Sequence, residues 1–172
     1  EQNPGGGTAN VLAALAKLGK KTAFIGKVGK DQFGYFLKDV LVNLNIDAKG
    51  LVFSDDVNTT LAFVHLDETG DRSFSFYRRP GADMMLKEDE VDYDLIKSSR
   101  VFHFSSISMT HEPARSATLK ALDVARKNNL IISYDPNLRP PLWDNLEEAK
   151  EMMLKGLEYA DILKISEEEL YF

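Results

Sequence analysis

The sequence contains no cysteine, which excludes a thiol nucleophile, a disulfide framework and a zinc–thiolate centre. It has only three histidines. His65, His103 and His111 lack metal-ligand spacing, and each is read as structural. No segment is long and apolar enough to span a membrane, and no signal peptide opens the chain, so a cytoplasmic protein is the expectation. Basic residues are outnumbered, with 21 Lys and Arg against 27 Asp and Glu and a net charge of -6. This argues against nucleic acid as a partner, because a phosphate backbone selects clustered Lys and Arg. A phosphorylated small molecule stays open, since it needs only one or two placed cations and some backbone donors.

What is present is material for a core: 44% of the 172 residues are hydrophobic, enough for one domain, or one domain with a small appendage. The chain opens on Glu1 rather than Met and stops at Phe172 within what reads as the first turns of a helix. It is therefore expected to be a piece of a longer protein.

Residues 8–18 carry a helical pattern, with Val11, Leu15 and Leu18 on one stripe and Gly19 as the stop. A short apolar strand is predicted over 22–26, then a turn at Lys27-Val28-Gly29-Lys30-Asp31. A second helix follows over 32–44, with Asp31 as its N-cap and Phe36, Leu37, Val40, Leu41 and Leu44 inward. A short strand is predicted over 51–54. Residues 60–66 and 72–78 then read as two β-rich runs joined at 67–70, a hairpin. Because side chains alternate, Arg72, Phe74, Phe76 and Arg78 share one face and Ser73, Ser75 and Tyr77 the other. Such mixed faces suit a projecting flap. After an acidic stretch at 87–94, strands at 101–105, 130–134 and 161–165 alternate with helices at 113–128 and 146–159, and a further helix begins at Ser166. Repeated strand–helix units imply an α/β fold with a mostly parallel sheet flanked by helices. Residues 1–59 and 80–172 would form this frame, and 60–79 the inserted hairpin.

Four segments have chemistry to offer. Gly5, Gly6 and Gly7 feed directly into a helix that carries Asn10. Glycines let a ligand approach the backbone, and the helix start presents unpaired N–H groups. The competing explanation is a flexible leader before an ordinary helix. No Gly-Lys-Ser/Thr follows, so this is not a Walker A loop. Asp135-Pro136-Asn137-Leu138-Arg139 ends an apolar strand, where open α/β sheets place ligands. Asn137 can bind a hydroxyl and Arg139 a phosphate; plain turn chemistry accounts for the same residues. Phe76-Tyr77-Arg78-Arg79 offers an aromatic face and cations, suited to a sugar or equally to a protected edge strand. Ser166-Glu167-Glu168-Glu169 is a capping box, a local structural device first, placed where a nucleotide–magnesium site would lie.

Taken in order, Gly5-Gly6, Asn10, Leu18-Gly19 and Gly26-Lys27-Val28-Gly29-Lys30-Asp31-Gln32-Phe33-Gly34 resemble the N-terminal signature of the ribokinase/fructokinase (pfkB-type) carbohydrate kinases. The stretches FYRRPGADMML, FHFSSISMTHEPARSATL and SYDPNLRPPLW are similar to those of bacterial and plant fructokinases. Related 2-keto-3-deoxygluconate kinases share parts of them.

The resemblance implies a ribokinase-like fold that uses ATP and Mg²⁺ to phosphorylate a sugar, fructose first among the candidates. It implies sugar contacts at Gly5, Gly6, Gly7 and Asn10, with Phe76 and Arg78 reaching in from a lid that often mediates dimerisation. Asn137 and Arg139 would lie between sugar and transferred phosphate, Arg139 neutralising charge. Ser166 and Glu169 align with the family's Asn-x-x-Glu motif, serine replacing asparagine, and its glutamate helps organise magnesium and phosphate. The family's opening strand with a sugar-binding aspartate, and its Asp-Thr-x-Gly-Ala-Gly-Asp run with the catalytic base, have no counterpart in these residues. The piece by itself is therefore expected to be inactive. A kinase for a sugar acid or a nucleoside, and a non-catalytic sugar-binding protein, are the alternatives.

Overall fold

In the computed structural model, residues 2–66 and 72–172 are described; the turn expected at 67–70 lies outside them. The first helix, α1 (Gly7–Lys17), stops at Gly19, which takes a φ of 74°. The Gly19 N–H donates to Ala16 O at 2.9 Å and the Lys20 N–H to Leu15 O at 3.0 Å. These bonds form a Schellman closure, which a glycine in the left-handed region permits.

Strand β1 (Thr22–Gly29) and strand β2 (Ile46–Ser54) pair in parallel, with α2 (Gln32–Asn43) as the crossover. Both strands run longer than the sequence suggested. The predicted turn at 27–31 is strand as far as Gly29 because Lys27 has internal partners. Its Nζ donates to Glu90 Oε1 at 2.5 Å and to Met85 O at 3.1 Å, leaving the side chain 8% exposed. In β2, buried Ile46 and Leu51 flank the exposed Asp47 and Lys49. Val28, Leu41, Ile46 and Leu51 form a small core, against which Leu12, Phe24, Leu37 and Leu44 pack.

The signature around α2 has a structural explanation. Asp31 caps α2, Oδ1 accepting the Gly34 N–H at 2.8 Å, as expected. It also accepts from Thr59, from Oγ1 at 2.8 Å and from the backbone N–H at 2.8 Å. Thr59 Oγ1 in turn accepts the Gly29 N–H at 2.9 Å. A side chain at Gly34 would collide with the Gly29 carbonyl, so a glycine is required there.

Beyond Thr60, β3 (Leu61–Leu66) and β4 (Arg72–Tyr77) form an antiparallel hairpin from Leu61↔Tyr77 to Leu66↔Arg72. Phe74 stacks on Phe76 on one face, and Phe63 meets Tyr77 edge-on on the other. Phe63, Val64, Phe74 and Tyr77 are exposed, as a projecting flap requires.

A short 3-10 turn at Ala82–Met85 precedes the acidic stretch, which holds a second at Glu88–Glu90 and leads into a one-turn helix, α3 (Tyr93–Lys97), capped by Asp92. The chain then alternates through β5 (Val101–Phe104), a 3-10 turn at Ser106–Met109, α4 (Ala114–Lys127), β6 (Ile131–Tyr134), a 3-10 turn at Pro140–Leu142, α5 (Leu146–Leu157), β7 (Ile162–Leu163) and α6 (Glu167–Tyr171). Strands β5, β6 and β7 are parallel and adjacent in that order. Their core centres on Phe104 stacked on Tyr134, 4.4 Å between centroids, with Ile96, Met109, Leu122 and Ile132. Among the described residues the two groups of parallel strands share no ladder. They meet through packing, with Ile25 of β1 against the larger core.

Candidate active site

Parallel strands bring the segments that follow them to one edge, so the loops after β5, β6 and β7 lie together at the carboxyl ends. The loop after β6 is the centre of this edge. The Asp135 N–H donates to Phe104 O at 3.1 Å, and the Asp135 carboxylate accepts from Lys164 Nζ at 3.4 Å. The next carbonyl, Pro136 O, accepts from both the Ser106 N–H at 3.1 Å and the Ser106 hydroxyl at 2.6 Å. Held in this way, Asn137 turns to a φ of 51°, a conformation that asparagine tolerates better than most residues.

Asn137 reaches the glycine cluster. A Cβ placed on Gly7 would lie 2.5 Å from Asn137 Nδ2. The first and second predicted segments are thus in contact, 130 positions apart in the chain. The helix α1 begins there with Gly6 as its N-cap and no side-chain cap. Asn10 is exposed in the first turn, and with Gly5 it rims an apolar cavity of about 90 Å³ between α1, α2 and the β1–β2 pair.

The fourth segment joins from the other side. Ser166 and Glu169 form the predicted capping box, with Ser166 N–H to Glu169 Oε2 at 2.9 Å and Glu169 N–H to Ser166 Oγ at 3.3 Å. The other carboxylate oxygen, Oε1, accepts the Leu138 N–H at 2.6 Å. Burial disfavours the charged form of Glu169. The N–H groups of Ser166 and Leu138, the Ser166 hydroxyl and the charge on Lys164 outweigh it, so the carboxyl lies below its ordinary value. Arg139 is exposed beside this junction, and its Nη1 donates to Leu138 O at 2.8 Å.

The third segment is placed differently. Phe76 is half-buried on the flap. Arg78 lies at the flap's root with its side chain 4% exposed. Its Nε donates to Asp83 Oδ2 at 2.7 Å, Nη1 to Thr110 Oγ1 at 2.9 Å and Nη2 to Ile107 O at 3.1 Å. Its positive charge is neutralised inside the chain. Sequence reasoning missed Asp83, Ser106 and Thr110; nothing local marks them, because their partners are supplied by distant elements.

The histidines take ordinary partners: Ser75 Oγ for His65, Ser133 Oγ for His103 and Asp144 for His111. Among the described residues no group of three or more His, Asp or Glu side chains could hold a metal ion, and no helix is long and apolar enough to cross a membrane.

This edge and its parallel frame define the ribokinase-like class of α/β proteins. The pfkB family carbohydrate kinase model matches residues 1–172, and the chain belongs to that family. It is 50% identical over 169 residues to a probable chloroplastic fructokinase-6 of Arabidopsis thaliana, covering 98% of this chain and 44% of the relative. A fructokinase from Xylella fastidiosa with bound ATP superposes with a TM-score of 0.91 at 40% identity, covering 97% of this chain and 51% of that one. A Vibrio cholerae O395 fructokinase with fructose, ADP and calcium superposes with a TM-score of 0.90 at 35% identity, covering 100% of this chain and 55% of that one. The chain spans about half the length of the curated relatives it matches.

Proposed function

We propose that the whole protein to which these residues belong is a fructokinase that transfers the γ-phosphate of ATP to a hydroxyl of fructose. The observation that carries this reading is the meeting of Gly7, Asn137 and the Leu138–Glu169 junction at the carboxyl ends of the strands. The chain around them is similar over nearly its full length to fructokinases, one of them with fructose and ADP bound.

In this reading the backbone at Gly5, Gly6 and Gly7 and the Asn10 amide hold sugar hydroxyls, Phe76 borders the sugar from the flap, and Arg78, buried at the flap's root, anchors the flap instead of reaching the sugar. Asn137 lies between sugar and phosphate, and Arg139 neutralises the charge that spreads over the transferred group. The hydroxyl oxygen forms its bond to the γ-phosphorus as the bond from that phosphorus to the bridging oxygen breaks, and ADP leaves. The hydroxyl proton goes to a general base that is not among the candidate residues named above. Residues 1–172 alone then give no turnover. Flap closure excludes water and limits ATP hydrolysis.

Magnesium, when bound, supplies charge neutralisation across the phosphates. The residues present fit an indirect role toward it: Glu169 is ionised, and Mg²⁺ usually keeps waters and phosphate oxygens as ligands instead of demanding a protein cage. Ser166 and Glu169 would hold such waters or the nucleotide. The flap's exposed aromatic faces fit a homodimer contact, and a cytoplasmic location completes the reading.

A sugar acid such as 2-keto-3-deoxygluconate is the alternative acceptor: its carboxylate needs a cation, and with Arg78 paired to Asp83 the exposed Arg79 and Arg139 would supply it. The test is sugar-dependent ADP release by the whole protein with fructose, ribose, 2-keto-3-deoxygluconate and adenosine. Fructose-selective turnover is expected. Selectivity for another acceptor changes the substrate, and folded protein that binds sugar without turnover is a sugar-binding protein.

A further inference from the structure

A two-stranded hairpin is marginal alone in water, and this flap is exposed on both faces. Its angle to the frame is therefore decided at its two roots. There the Ala82 N–H donates to Asn58 O at 2.9 Å, bringing the entering and leaving chains side by side. One carboxylate then ties both roots. Asp83 accepts Thr60 Oγ1 on the entering side through Oδ1, and Arg78 Nε on the leaving side through Oδ2.

The connection does not stop at the roots. Arg78 continues to Ile107 O and Thr110 Oγ1. The residue before Ile107 is Ser106, wholly buried, whose N–H and hydroxyl both hold Pro136 O. Pro136 precedes Asn137, which meets Gly7. A continuous run of hydrogen bonds and single peptide steps therefore links the flap to the loop that borders the substrate.

We propose that Asp83 is a positioning residue: by holding Thr60 and Arg78 on one carboxylate, it couples the flap to the Asn137 loop, so that flap closure and sugar binding occur together. This rests on the fructokinase reading for its substrate, but the coupling itself is a property of the chain. The physical reason is that the Arg78 guanidinium is buried. Without its counter-charge it must reorganise, releasing both the flap root and the segment at Ile107.

The test uses the whole protein with Asp83→Asn, Thr60→Val, Ser106→Ala and the double variant Asp83→Asn/Ser106→Ala. Asp83→Asn is expected to raise KM for fructose by about tenfold or more, the loss of a charge-assisted bond. KM for ATP should stay within about twofold, and more ADP should be released without sugar phosphate, because water is admitted under an uncoupled flap. Thr60→Val should act in the same direction more weakly, and it carries the test if Asp83→Asn does not fold. The double variant should fall short of the product of the single effects, which distinguishes coupling from two independent losses. Unchanged fructose KM in folded variants, parallel rises in both KM values, or multiplicative effects would overturn the proposal.

Amide hydrogen exchange separates this from failure of the fructokinase reading. Asp83→Asn should speed exchange both in the flap strands and at residues 136–138, whatever the substrate proves to be. Faster exchange confined to the flap would sink the coupling even in an active fructokinase.

Discussion

The backbone N–H of Leu138 donates to Glu169 Oε1 at 2.6 Å, fastening the loop after β6 to the helix after β7. The same carboxylate accepts the Ser166 N–H through its other oxygen. A local helix cap is thus also a long-range strap on the segment that carries Asn137 and Arg139.

Replacing Glu169 by glutamine should loosen that strap. An amide has one acceptor oxygen, and its NH₂ group would face an N–H donor, so one of the two backbone donors is left unpaired. The expected cost is about 1–3 kcal/mol of stability, read by urea unfolding. A fall in kcat of about tenfold or more in the whole protein is expected with it, as the loop loses its orientation.

Asp31 and Glu169 should make stability depend on acid. Burial opposes ionisation of Asp31, but hydrogen bonds from Thr59, Gly34 and Phe33 outweigh it, so its carboxyl, like that of Glu169, is held below the ordinary value. A carboxyl depressed in the folded state contributes stability that is fully present above its unfolded pKa. That contribution is lost as pH falls through the folded value. Unfolding free energy should therefore be level above about pH 5 and fall below it, with a shallower fall in Asp31→Asn. An unchanged acid limb in Asp31→Asn would remove Asp31 from this account.

Gly7→Ala should damage function more than folding. The new methyl meets the end of the Asn137 side chain, which can swing aside, and alanine favours the helix that starts at Gly7. Stability should change by less than about 1 kcal/mol. Displacing Asn137 should raise KM for fructose by about tenfold, the loss of one substrate hydrogen bond. Calorimetry and steady-state kinetics on the same preparation read both.

Arg139→Ala should leave the fold intact. Its side chain is exposed and, among the described residues, hydrogen-bonds to the neighbouring Leu138 carbonyl, so the stability change should be within about 0.5 kcal/mol. The kcat of the whole protein should fall by about a hundredfold if Arg139 neutralises the transferred phosphate. A loss expressed only in KM for sugar would give it a binding role instead.

What could be seen beforehand followed the range of the interactions. The α2 cap at Asp31 and the capping box at Ser166 and Glu169 close within three residues, so the sequence shows both partners at once. The alternation of strands and helices was equally visible, because hydrophobic periodicity is local. Lys27 reads as part of a turn in the sequence because its strand character depends on Glu90, 63 residues away. Arg78 is legible as a cation on the flap, but its neutralisation requires the chain after the flap to turn back at Ala82–Met85 and present Asp83.

The sequence alone determined the parallel α/β plan, the inserted hairpin, the helix caps and the family, because each rests on local periodicity or on the order of fixed spacings along the chain. Only the tertiary structure decided that Gly7 meets Asn137, that Glu169 holds Leu138, and that Asp83 ties Thr60 to Arg78. Local composition does not encode these meetings. They arise when parallel strands stack their following loops at one edge and buried polar groups must find partners there.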